Sequence, residues 1–242
     1  LPNHVHKVMG KLGARMLFRK VPPKNKSEDE LISVIQNKSS YKIKVNTCKS
    51  VMCNFLGQIY SEYGDVLSVN WEKEKDDMIV HSCIVNCALL LRRLRAPLEI
   101  WSENSQDGGE VYSFSTPTIE EPERLINLLY SLARGRALAY KRKYLKIDDT
   151  ATVLRVTLDS MPYDRYLLFQ ELYNKESLST REAAIKLNCS ERNIKRVFEV
   201  FKVLGVAEID EFNDGQGRPM KILRFSKEIE SIVKKLKDIQ ST

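Results

Sequence analysis

The chain has 242 residues, of which 43% are hydrophobic and 29% are charged, a composition typical of folded globular proteins. No apolar run reaches the ~20 residues that a membrane-spanning helix requires, and the first residues do not have the pattern of a signal peptide. We therefore expect no membrane partner. The chain opens at Leu1 rather than at Met, which predicts a fragment or a processed product.

The net charge of +7 is concentrated near the start of the chain. Residues 1–50 hold 11 Lys and Arg against Glu28, Asp29 and Glu30, so this segment has a net charge of +8 and the remainder about −1. A basic excess favours a polyanionic partner such as DNA, because contacts to phosphates release counterions.

The cysteines are odd in number and irregularly spaced: Cys48, Cys53, Cys83, Cys87 and Cys189. Cys83 and Cys87 lie four residues apart in a Leu-rich segment and could in principle hold a metal. Zinc modules favour short turns over such helices, so we interpret both as buried, reduced thiols. Reduced thiols predict a cytoplasmic protein.

The first 160 residues are predicted to be mainly helical. Apolar periodicity indicates a helix over 4–15 and a short strand over 16–21, which Pro22 and Pro23 must end. Ser27 and Glu30 have the spacing of a capping box and predict the start of another helix. The further predicted elements are helices over 46–63, 75–94, 120–141 and 149–160 and short strands over 98–103 and 111–115.

The next segment has the pattern of a winged helix-turn-helix. Its predicted elements are a helix that opens at Pro162 and carries Tyr166 to Tyr173, a helix at Thr180–Leu187, a second helix at Glu191–Leu204, and strands at Val206–Phe212 and Met220–Phe225. Such a domain presents its second helix to a DNA major groove. The expected fold is therefore mostly α with small β elements: a helical domain over 1–160 and a winged-helix domain over 161–242, ending in a helix at 229–239.

The predicted second helix divides into an apolar stripe and a polar N-terminal part. Ile194, Val197 and Phe201 belong to the stripe. The candidate DNA-binding residues are Ser190, Arg192, Asn193, Lys195 and Arg196 on the helix, with Arg218 and Lys221 in the wing. Arginine can pair bidentately with guanine and asparagine with adenine, whereas lysine contacts phosphates. The alternative interpretation is that these polar residues form a solvent-exposed helix face on a domain that contacts only other proteins.

Three stretches ahead of this domain resemble the C-terminal part of a AAA+ ATPase of the replicative-helicase kind, such as the minichromosome maintenance proteins. Residues 13–22 with 27–31 look like that family's Ser-Arg-Phe-Asp strand and the acidic helix after it. Residues 117–139 and 144–158 are similar to the first and last helices of its lid. The resemblance implies that residues 1–160 are lid-like, that Arg15 is the arginine finger directed at a neighbouring subunit's nucleotide, and that the chain has ring partners.

The chain lacks the Gly-x-x-x-x-Gly-Lys-Ser/Thr loop that surrounds phosphates. We therefore expect no ATP hydrolysis, no cofactor and no metal in this chain alone, with ATP and Mg²⁺ bound only together with a preceding ATPase core. The sequence predicts a binder of double-stranded DNA that acts in replication as the end of a helicase-type ATPase and associates with itself or with AAA+ ring subunits. A stand-alone winged-helix transcriptional regulator with a helical dimerisation domain and a protein-docking adaptor remain as alternatives.

Overall fold

The computed structural model describes residues 17–20, 26–64, 69–104, 110–212 and 220–241. These residues are mostly helical, with two small antiparallel sheets, which confirms the expected mostly-α composition. The helices are α1 (Glu28–Gln36), α2 (Tyr41–Tyr63), α3 (Met78–Leu94), α4 (Pro122–Ala139), α5 (Asp149–Asp159), α6 (Tyr163–Lys175), α7 (Thr180–Leu187), α8 (Glu191–Val203) and α9 (Lys227–Ser241). The strands are β1 (Ile100–Asn104), β2 (Glu110–Phe114), β3 (Ser177–Ser179), β4 (Ala207–Phe212) and β5 (Met220–Phe225).

The first two helices form an arm with little burial. The predicted capping box is present: Ser27 Oγ accepts from the Glu30 backbone N–H, and the Glu30 carboxylate accepts from the Ser27 N–H. Helix α2 begins at Tyr41, five residues earlier than predicted, after a 3₁₀ turn at Lys38–Ser40. Tyr63 is the one buried residue of α2, so this helix adds almost nothing to the core.

Helix α3 is the central element of the core. Asp77 caps its start by accepting from the Ile79 N–H at 2.9 Å. Cys83 and Cys87 are completely buried free thiols, which confirms their interpretation as core residues. The α3 surface packs against α4, α5 and α9, so its apolar run is covered on several sides.

A buried carboxylate fixes the link between α4 and α5. Asp149, at the first turn of α5, accepts hydrogen bonds from the guanidinium groups of Arg136 and Arg142 and from the Lys146 backbone N–H. Burial alone raises the pKa of Asp149, but these bonds outweigh it, and the pKa lies below its usual value. A charged, fully paired Asp149 therefore holds α5 in place.

The strands form two separate sheets. In the first, β1 and β2 pair antiparallel from Ile100–Phe114 to Asn104–Glu110, and the connecting residues 105–109 lie outside the described parts. In the second, the order is β3-β5-β4, with Leu178 opposite Leu223. The sequence did not indicate β3, because three residues are too few to show an alternating pattern.

The C-terminal helix returns to the first half of the chain. Ile229, Ile232, Val233 and Leu236 on α9 are buried, and α9 packs on α3. The buried apolar residues consequently form one cluster that runs from Val80 to Leu236, across the predicted boundary at residue 160. The division into two domains stays a prediction.

Residues 17–20 correct one sequence expectation, because they do not form a strand. Among the described residues, no other strand lies beside them. The Phe18 N–H instead donates to Ser160 Oγ at 2.9 Å, and Arg19 pairs with Asp159, so the segment is fastened to the end of α5. The predicted helix over 4–15 lies outside the described residues. Within the described parts, no helix is both long and apolar enough to cross a membrane.

Candidate nucleic-acid interface

Local sequence signals set the geometry of the α7–α8 pair. Ser179 and Glu182 form a capping box at the start of α7, with the Ser179 N–H donating to the Glu182 carboxylate at 3.0 Å. Asn188 ends α7 in the left-handed conformation, with φ of 48°, which asparagine tolerates better than most residues. Ser190 then caps α8 by accepting from the Asn193 N–H at 3.3 Å. The two helices are thus joined by a short, well-defined turn.

One face of α8 packs completely into the hydrophobic core. Ile194, Val197, Phe198, Val200 and Phe201 are all at most 7% exposed. Burying a side chain of this size stabilises the fold by roughly 1.5–3 kcal/mol. The rotation of α8 about its axis is therefore fixed, and so is the set of side chains on its outer face.

The outer face bears the basic residues that the sequence singled out. Arg192, Asn193 and Arg196 are exposed, and Lys195 is half-buried. Arg192 and Arg196 lie one helical turn apart on the same side. Ser190 is also exposed, although its hydroxyl serves as the helix cap. The structure thus brings these predicted residues together at the N-terminal half of α8.

Lys221, the remaining candidate among the described residues, forms ion pairs with acidic side chains of the same chain. Its Nζ lies 3.0 Å from Glu199 Oε1 and 3.6 Å from Glu211 Oε1. On the same sheet, Arg224 Nη1 lies 3.4 Å from Asp210 Oδ2. The two β5 cations thus offset the acidic side chains of β4, which the sequence alone leaves as a strongly negative strand.

One cation of the basic N-terminal segment, Lys20, is directed into the protein. Lys20 Nζ is buried without a hydrogen-bond partner and lies 3.8 Å from the centre of the Tyr166 ring. Burial lowers the pKa of Lys20, although nearby Asp159 counters this. Lys26 is exposed. Arg15 and Arg218, two further predicted site residues, lie outside the described residues.

Two arginines that the sequence did not single out connect α3 to later parts of the chain. Arg165 is buried and donates to the carbonyl oxygens of Leu94 and Ala96, each at 2.8 Å. Arg93 donates to the Leu204 carbonyl at 3.3 Å and to the Glu228 carboxylate at 2.7 Å. Both cap the ends of helices, a role that depends on long-range contacts and gives no local sequence signal.

Arg181 is a third missed residue that bears on the site. It is exposed in the first turn of α7, at the opposite end of that helix from the turn that leads into α8. The Ser179–Glu182 capping box could have revealed it, because that motif fixes where α7 begins. Arg181 adds a cation to the same helix pair.

An apolar cavity lies away from the α8 residues. It has a volume of about 210 Å³ and is bordered by Cys87, Leu154, Phe169, Tyr173 and Leu236, from α3, α5, α6 and α9. The Tyr173 hydroxyl donates to Gln240 at 2.6 Å at its edge. Across the described residues, no cluster of three or more His, Cys, Asp or Glu side chains is placed to hold a metal ion.

Comparisons with models of protein families, with curated proteins and with solved structures returned no match for this chain.

Proposed function

We propose that residues 163–241 form a winged helix-turn-helix and that the chain binds double-stranded DNA through α8. The order of elements supports this: α6, β3, α7 and α8 precede the β4–β5 pair, and β5 lies between β3 and β4 in the sheet. In this fold the second helix of the helix-turn-helix enters the major groove. Helix α8 takes that place.

The observation that carries the proposal is the division of α8 into two faces. Its apolar face is buried, while Arg192, Asn193 and Arg196 are exposed at its N-terminal half. This is the end from which recognition helices contact base edges. The arginines suit guanine, Asn193 suits adenine, and Lys195 and Ser190 suit phosphates.

The wing supplies a second contact in this proposal. Arg218 belongs to the connection between β4 and β5, where it would reach phosphates or the minor groove. Lys221, which is paired with Glu199 and Glu211, would act mainly by offsetting the acidic strand beside the DNA. Binding that neutralises about four to six phosphates gives a log–log salt slope of roughly −4 to −5.

The decisive experiment compares two charge-matched double variants on one duplex by fluorescence anisotropy. Arg192→Ala/Arg196→Ala removes two cations from α8, and Lys234→Ala/Lys235→Ala removes two exposed cations from α9. We expect the arginine pair to weaken binding by about 1–3 kcal/mol for each base that an arginine pairs with in the wild type. We expect the lysine pair to leave the affinity nearly unchanged.

Two results would overturn the α8 assignment. Equally weakened binding in the two double variants would mean that only overall charge matters. An unchanged affinity for Arg192→Ala/Arg196→Ala, together with loss of binding when Lys20, Lys24 and Lys26 are replaced by alanine, would assign the contact to the N-terminal segment. Absence of any binding at low salt would favour the protein-docking adaptor.

We further propose that the chain is the C-terminal portion of a AAA+ ATPase that acts in DNA replication. The resemblance of residues 13–22 with 27–31, 117–139 and 144–158 supports this, and the two lid-like stretches contain α4 and all but the last residue of α5. In that assembly Arg15 would reach a neighbouring subunit's nucleotide. Sequencing the coding region upstream of Leu1 tests the assignment, because a phosphate-binding loop there is required.

The second candidate is a stand-alone winged-helix regulator with a helical dimerisation domain. The sparse burial of α2 favours it, because this helix contributes only Tyr63 to the core. An upstream coding region without an ATPase core would decide for the regulator. DNA binding through α8 is common to both candidates, so the anisotropy experiment does not depend on the choice.

A further inference from the structure

Helix α2 presents large apolar side chains to solvent along most of its length. Tyr41 is 70% exposed, Met52 56% and Phe55 40%, and Tyr63 is the one buried residue of the helix. Monomeric proteins seldom expose a continuous apolar surface of this kind, which marks sites of association. The helix therefore requires a partner that the fold of a single chain does not supply among the described residues.

The spacing of these side chains defines the partner's geometry. Along α2, apolar residues recur at alternating steps of four and three, and this series is here called the α2 stripe: Tyr41, Val45, Cys48, Met52, Phe55 and Ile59. That spacing places one row along the helix and is the pattern by which two helices pack knobs into holes. Ile43, which is 67% exposed, lies on the opposite side of the helix and serves as an internal comparison.

We propose that the α2 stripe binds the α2 stripe of a second copy of this chain, with the two helices antiparallel. If the two-fold axis passes at Ser50, Tyr41 faces Ile59 of the second copy, Val45 faces Phe55, and Cys48 faces Met52. Each stripe residue then has an apolar partner, and each layer joins a smaller side chain to a larger one. Helix α2 has 23 residues, which gives a contact about 34 Å long at 1.5 Å per residue.

The charges on α2 favour the antiparallel direction. Lys42, Lys44 and Lys49 all lie in its first half, and Glu62 near its end is its single acidic residue. A parallel pair would bring all these ammonium groups together at one end, where like charges repel. The antiparallel pair separates Lys42 and Lys44 from their copies and leaves only Lys49 near the axis, so added salt should strengthen the dimer.

The first test measures mass against concentration by sedimentation equilibrium, without DNA. We expect the wild-type chain to approach twice its 27.9 kDa mass as concentration rises. Met52→Glu, which puts a carboxylate in a central layer, should keep the mass of one chain throughout. The matched control Ile43→Glu, equally polar but off the stripe, should associate like the wild type. Circular dichroism checks that both variants remain helical.

Two outcomes would overturn the proposal. A wild-type mass of one chain at every concentration would mean that another segment of the chain or a different protein covers α2. Equal loss of association in Ile43→Glu and Met52→Glu would mean that the stripe is not the interface.

The second test determines direction, in a Cys53→Ser/Cys189→Ser background that leaves Cys48 as the exposed thiol. In a parallel pair Cys48 would face its own copy and crosslink on oxidation. In the antiparallel pair it faces position 52, so a linked dimer should form only after Met52→Cys is added. Linked dimer in the background alone would refute the antiparallel arrangement. Neither test depends on DNA binding, so the dimer and the proposed function can fail separately.

Discussion

The guanidinium of Arg93 occupies the space that a side chain at residue 205 would need: its Nη1 lies 2.7 Å from the position of a Cβ atom on Gly205. Gly205 also has a φ of +66°, in the left-handed region that favours glycine. The same Arg93 donates to the carbonyl of Leu204 and to Glu228 on α9. The end of α8 thus depends on a residue without a side chain and on an arginine from α3.

We expect Gly205→Ala to destabilise the fold by about 1–2 kcal/mol, because alanine disfavours the left-handed backbone conformation. The loss of stability should be larger if the new methyl group prevents Arg93 from reaching the Leu204 carbonyl. The control is Gly135→Ala, in the exposed part of α4 with nothing within 4 Å of its Cβ position. That substitution should stabilise by about 0.5–1 kcal/mol. Urea unfolding measures both changes, and equal stability of the two variants would contradict the role of Gly205.

The second prediction concerns Arg165, a buried side chain that donates to two carbonyl oxygens at the C-terminal end of α3. Arg165→Met keeps most of the apolar volume but leaves the Leu94 and Ala96 carbonyls without this donor. An unsatisfied buried polar group costs about 1–3 kcal/mol, so we expect a lower denaturation midpoint. Arg155→Met, on the exposed side of α5, should change stability by less than about 0.5 kcal/mol.

The third prediction concerns stability at low pH. Asp76 is buried and accepts hydrogen bonds from Trp71, Tyr130 and the Leu145 backbone N–H. Burial raises the pKa of Asp76, but these bonds together hold it below the usual 3.8. The folded state therefore binds this proton less tightly than the unfolded chain does, and the associated stability is present above pH 3.8 and lost as the pH falls through the folded pKa.

Urea midpoints measured as the pH is lowered through this range should fall for the wild type and change less for Asp76→Asn, which starts from lower stability at pH 7.

At alkaline pH, stability should depend on Tyr130 in the opposite direction, because the pKa of this group is raised in the folded state. Burial, with the bond to Asp76, raises the pKa of Tyr130 from 10.0 to about 12. Its contribution is complete below pH 10.0 and is lost as the pH rises toward 12, so Tyr130→Phe should flatten that decline. An unchanged alkaline profile would contradict this assignment.

The fourth prediction separates the structural and DNA-binding roles of Lys221. Because Lys221 pairs with Glu199 and Glu211, Lys221→Met should destabilise the fold by roughly 0.2–1 kcal/mol, the range for ion pairs near the surface. Its effect on DNA affinity should be smaller than that of Arg192→Ala on α8. An affinity as low as that of Arg192→Ala, without a change in unfolding, would instead support the direct DNA contact that the sequence predicted.

The sequence was most informative where the signals are local. The cap at Ser27 and the amphipathic pattern of α8 were sufficient to place the start of α1 and both ends of α8 within one or two residues. The same pattern separated buried Ile194 from exposed Arg196, because helical spacing alone decides which side chains share a face.

The features that the sequence did not indicate depend on residues distant along the chain. Whether Lys221 is free depends on Glu199 and Glu211, which come from α8 and β4. Strand β3 exists because β5 pairs with it, since its three residues have no pattern of their own. The segment at 17–20 looked like a strand, but no strand among the described residues lies beside it, and its backbone bonds to Ser160 instead.

The return of α9 onto α3 has a consequence for how the chain is made. Helix α3 leaves the ribosome long before α9 is synthesised, yet its surface is completed by Ile229, Ile232 and Leu236 of α9. Until then the nascent chain exposes part of the α3 surface, which includes the wall of the cavity at Cys87. A stop codon before residue 227 would leave this exposed state permanent, and such a product is a substrate for chaperones and proteases rather than a shorter working protein.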